Sequence, residues 1–96
     1  MNKIKLFVIY DKNCLHCSEL LDTIAEVIKE EKIPCEVVKF LFEDPTAIRI
    51  AINNDIDEIP ALVVEKVGKV CQGDNCSKAK IVKAIKKSWA KTSKSQ

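Results

Sequence analysis

Residues 4–10 are apolar except for Lys5, and that run constrains the fold more than any other feature of the chain. A strand with one wet face alternates apolar and polar residues; a near-continuous apolar strand is buried on both faces. The segment therefore belongs inside a sheet with helices on each side, which makes this an α/β chain. Residues 11–13 are a polar turn. From Cys17 on, Leu20, Leu21, Ile24, Val27 and Ile28 recur at helical spacing, with Glu19, Asp22, Glu26, Lys29 and Glu30 on the other face. Pro34 ends this helix. Residues 35–42 read as a second strand. Asp44 and Pro45 suit the N-cap and first position of a short helix carrying Ile48, Ala51 and Ile52. Residues 53–55 break it, residues 61–64 form a third strand, and residues 66–69 turn the chain into a fourth at 70–72. Ser77 caps a last helix with Ile81, Val82, Ile85 and Trp89 as its buried stripe. The order β-α-β-α-β-β-α, with a right-handed crossover in its first half, predicts a four-stranded mixed sheet with helices on both faces.

Ninety-six residues make one domain, expected over residues 1–90, with a polar tail at 91–96. No apolar stretch approaches the roughly 20 residues of a membrane span. No small-residue cleavage site follows the N-terminus, so a cytoplasmic protein is expected unless a leader has been removed. The charge is uneven: residues 1–77 sum to −5, and residues 78–96 carry seven lysines and no acid. Lysines on a terminal helix complement its dipole. Without arginine or interleaved aromatics they do not point to nucleic acid. The chain is expected to be a monomer.

Chemistry concentrates at Cys14-Leu15-His16-Cys17, a C-x-x-C between the first strand and the first helix. A thiol at a helix N-terminus sees unpaired backbone N–H groups and the positive end of the helix dipole. Both favour thiolate, so Cys14 is the expected nucleophile and Cys17, one turn on, the resolving thiol. His16 between them can supply a cation or N–H donor that tunes the thiolate. Such a pair exchanges disulfides and needs no cofactor. It can equally be half of a zinc or iron–sulfur site completed by Cys71 and Cys76. Those two flank Gly73 and are alternatively a second redox pair, a relay to Cys17, or two unrelated thiols. Cys35 is read as inert packing.

With Ile59-Pro60 before the third strand and Gly73 after the fourth, the chain resembles thioredoxins and glutaredoxins over residues 3–89. The resemblance implies the minimal thioredoxin fold and a thiol–disulfide oxidoreductase. It also implies a cis Pro60 that sets Ile59 beside Cys14 to pair with an extended substrate, and a loop at Gly73 adjoining the site. Several family marks are replaced here. Val8 stands where thioredoxins bury a carboxylate, Asn13 where they have tryptophan, and Leu15-His16 where they have Gly-Pro. Glu58-Ile59 and Gln72-Gly73-Asp74 replace the glutaredoxin Thr-Val and paired glycines. These changes favour protein disulfides over glutathione as substrate, with a separate reductase as the second partner. A redox-inert binding domain of the same fold is the remaining alternative.

Overall fold

The computed structural model describes residues 3–94. Its elements are β1 (Ile4–Tyr10), α1 (Leu15–Glu31), β2 (Cys35–Leu41), α2 (Pro45–Asn53), β3 (Ala61–Val64), β4 (Gly68–Gln72) and α3 (Lys78–Lys94). The strands form one mixed sheet in the order β2-β1-β3-β4. β1 runs parallel to β2, with Ile4 opposite Cys35 and Tyr10 opposite Leu41, and antiparallel to β3. β3 and β4 form the antiparallel hairpin.

The pleat of the two central strands sorts their side chains onto two faces. Ile4, Leu6 and Val8 join Leu62 and Val64 on one face, against Leu20, Ile24 and Val27 of α1 and Ile81, Ala84 and Ile85 of α3. Ile9 and Ala61 point the other way, against Ala47 of α2, with Phe40, Ile50 and Ile56 around them. Two helices thus cover one face of the sheet and one covers the other, as the apolar run of β1 requires. Each large side chain fully buried here, such as Leu6 or Ile24, contributes about 1.5–3 kcal/mol of transfer free energy.

Helix ends follow local chemistry. Asp44 caps α2 by accepting from the Thr46 backbone N–H at 2.8 Å, with Pro45 in the first turn. α1 ends where Lys32 turns left-handed, at φ 57°, and donates its N–H to the Ile28 carbonyl. The start of α3 is tied to α1 by Lys78, whose Nζ lies 2.7 Å from Glu26 and 2.9 Å from Glu30. The hydrogen bond from Lys78, and then its charge, hold the Glu26 carboxyl below the ordinary carboxylate range.

Three details differ from the sequence reading. β4 begins at Gly68 rather than at residue 70, because the turn closes earlier, through Lys66 at φ 68°. A bulge between Leu62 and Val63 then leaves Val70 without a partner in the register. α3 continues to Lys94, through most of the expected polar tail. Thr92 is buried and bonds to the Ser88 carbonyl, while Ser88 bonds to the Glu65 carbonyl at 2.7 Å. Residues 95–96 of that tail lie outside the described residues. In α2 the buried side chain is Ala47, whereas Ile48 and Ile52 are exposed.

Candidate functional site

β1 delivers the chain to the C-terminal edge of the sheet, and residues 11–13 turn it back toward α1. The turn is closed by the Cys14 backbone N–H donating to the Asp11 carbonyl at 3.2 Å. Cys14 is therefore the N-cap of α1, in extended backbone conformation, and its Sγ accepts from the Cys17 backbone N–H at 3.2 Å. N-caps are usually Ser, Thr, Asp or Asn, whose oxygen satisfies an orphan amide. Here a sulfur takes that place. Cys14 and Cys17 are joined by a disulfide, with Cα atoms 5.3 Å apart. Cys14 is partly exposed, while Cys17 is 3% exposed.

Pro60 is buried at the start of β3, and the Ile59–Pro60 peptide bond is cis. The loop after β4 is fastened to it, since the Gly73 N–H donates to the Pro60 carbonyl at 2.7 Å. Gly73 has φ +62°, and a Cβ there would collide with the carboxylate of Glu58. Next to it, Gln72 and Asp57 exchange two hydrogen bonds, Asp57 N–H to Gln72 Oε1 at 3.0 Å and Gln72 Nε2 to Asp57 Oδ1 at 2.8 Å. This clamp joins the residues before Pro60 to the end of β4. The sequence held no signal for it, because Asp57 and Gln72 meet only once β3 and β4 have paired. Glu19 was also missed, although the i, i+3 spacing from His16 points to it.

His16 is exposed, with Nδ1 3.5 Å from Glu19 Oε2. Its ring lines a groove of about 210 Å³ together with Glu19, Leu20 and Thr23 of α1 and Gly73, Asp74 and Cys76 of the loop opposite. Cys71 and Cys76 form a second disulfide, with Cα atoms 5.0 Å apart. Cys71 lies in the core at 4% exposure and Cys76 packs at its edge. The four cysteines are thus two disulfides rather than one tetrad, and no three His, Cys, Asp or Glu side chains converge on a metal site among the described residues. Cys35 is the free cysteine, and burial raises its thiol above the ordinary range. Val8, in the middle of β1, is fully buried.

No family model matches the sequence, and no curated protein matches it. Solved structures do. Thioredoxin-2 of a malaria parasite, a component of its protein secretion machinery, superposes with a TM-score of 0.62 at 16% identity, over 90% of this chain and 84% of that one. Thioredoxin 1 from Thermosipho africanus gives 0.58 at 18%, over 93% and 98%. Oxidised thioredoxin from Plasmodium falciparum gives 0.59 at 15%, over 91% and 82%. The chain therefore has the thioredoxin fold, with a C-x-x-C disulfide at the start of α1.

Proposed function

We propose that this chain is a thiol–disulfide oxidoreductase that acts on protein disulfides through Cys14 and Cys17. The observation that carries the reading is the placement of Cys14 Sγ at the N-cap of α1, within hydrogen-bonding distance of the Cys17 backbone N–H. In the reduced protein the same amide, together with the helix dipole, stabilises a negative sulfur there. The Cys14 thiolate attacks one sulfur of a substrate disulfide, and the other substrate sulfur leaves as a thiolate and takes up a proton. Cys17 then loses its proton and attacks Cys14 Sγ, and the second substrate thiol departs. Cys14 and Cys17 are left as the disulfide, two electrons poorer, and a dithiol reductase returns them.

In this reading an extended segment of the substrate pairs with the backbone beside Pro60. Ile59 and Gly73 sit on loops held together by the Gly73–Pro60 hydrogen bond. The reading includes a monomer that works in the cytoplasm without nucleic acid. Lys78 and Lys86 of α3 are engaged by Glu26, Glu30 and Glu31, and Lys91 Nζ by the Lys66 carbonyl, which favours a structural role for these lysines. Among the described residues no helix is long and apolar enough to cross a membrane.

Insulin reduction by dithiothreitol, followed by turbidity, tests the activity. The chain is expected to accelerate it, and Cys14→Ser to remove the acceleration completely. Cys17→Ser should instead accumulate a mixed disulfide on Cys14, visible by mass spectrometry. Equal turbidity with and without the chain would count against the reading.

A further inference from the structure

The mechanism above uses one disulfide of two. The other has an asymmetry that decides how it can react. Cys71 is 4% exposed, on β4 opposite Leu62 and within the core cluster. Cys76 is partly exposed and forms part of the groove wall facing His16, Glu19, Leu20 and Thr23. Thiol–disulfide exchange requires the attacking thiolate to reach a sulfur and displace the other. Here the groove leads to Cys76, and Cys71 has to be the leaving group.

The groove also limits the attacker. At about 210 Å³ it has room for a small thiol. A molecule of a few heavy atoms fits. Its charged lining is Glu19 and Asp74, exposed carboxylates on opposite walls, with His16 beside Glu19. Glu19 already faces the His16 ring. Two carboxylates in the lining repel an anionic thiol and attract a cationic one.

We propose that Cys71–Cys76 is a second thiol-exchange site, entered through the His16 groove at Cys76 and selective for small thiols without carboxylates. A thiolate RS⁻ attacks Cys76 Sγ, the Cys71–Cys76 bond breaks, and Cys71 leaves as a thiolate that is protonated in its apolar surroundings. A second RS⁻ attacks the R–S sulfur of the mixed disulfide and releases Cys76 as a thiolate. The balance is one RSSR formed and two protein thiols gained, with the small thiol as the reductant. Opening this bond removes a covalent tie on the loop that carries Gly73 and leaves its hydrogen bond to Pro60.

The test uses the full chain as Cys14→Ser/Cys17→Ser, which removes the first couple, so that failure of the insulin assay and failure of this proposal remain distinct. Cysteamine, 2-mercaptoethanol and mercaptoacetate are added at equal thiolate concentration. Each rate is divided by the same thiol's rate on 2-hydroxyethyl disulfide. Adducts are mapped by mass spectrometry, and circular dichroism confirms that the protein is folded. The expected adduct is on Cys76 with Cys71 free, and cysteamine should be about three- to tenfold faster than mercaptoacetate, the gap narrowing in salt. Asp74→Asn should shrink that ratio. Peptide mapping of the wild-type chain answers the same question if the double variant does not fold. An adduct on Cys71, reduction only after unfolding, or rates indifferent to thiol charge would each overturn the proposal.

Discussion

Single side chains at this site do more than fill space. Cys14 is the N-cap of α1 and, in the proposed mechanism, the nucleophile, so the amide that a serine or aspartate would ordinarily satisfy is available to a sulfur anion. Gly73 has two separate reasons to be glycine. Its φ of +62° disfavours any side chain, and Glu58 occupies the space a Cβ would take. Gly73→Ala should therefore destabilise the protein by about 1–3 kcal/mol in urea titrations. Adding Glu58→Ala should recover the steric part and leave the backbone part. Full recovery in the double variant would mean that φ contributes nothing.

At the scale of elements, α1 carries the site and is held from two sides. Its apolar stripe enters the core through Leu20, Ile24 and Val27. Ile24→Ala should cost about 2–5 kcal/mol by denaturant titration, because the sheet beneath cannot collapse into the space. Its polar side is joined to α3 by Glu26, Glu30 and Lys78. Folding lowers the Glu26 pKa, so that contribution is complete above the usual carboxylate range and disappears as pH falls through the depressed value. Lys78→Met should accordingly lower Tm slightly at pH 7 and leave it unchanged in strong acid. The effect should be small and salt-sensitive, since these groups are exposed. Element order was legible because the continuous apolar run of β1, the helical period of α1 and the breaks at Pro34 and Asp44-Pro45 are all explicit in the sequence. The extent of α3 was not, since Ser88 and Thr92 look like surface residues until the Glu65 carbonyl is placed beside Ser88. The outward face of α2 was hidden for a related reason. Ile48 and Ile52 share a helical period with buried residues, and only the sheet's position shows which side of the helix is inside.

The whole molecule brings together three pieces distant in sequence: the start of α1, the Ile59–Pro60 bend and the loop after β4. The sequence marked Cys14, Cys17, Pro60 and Gly73 individually. The link from Gln72 to Asp57 depends on strand register, and the Cys71–Cys76 bond within the loop after β4 depends on loop closure; periodicity encodes neither. The thioredoxin fold persists here at 15–18% identity to the thioredoxins compared above, with Val8 fully buried in the centre of β1. With apolar packing there, the proposed chemistry rests on the helix terminus, and the ionisation of Cys14 becomes the central quantity. It is measured by alkylating the reduced protein with iodoacetamide across pH and reading each cysteine by mass spectrometry. Cys14 should react fastest, with a midpoint well below the free-thiol value of about 8.5, and Cys17 should react slowly throughout. A Cys14 midpoint at or above that value, or a Cys17 that reacts first, would contradict the account.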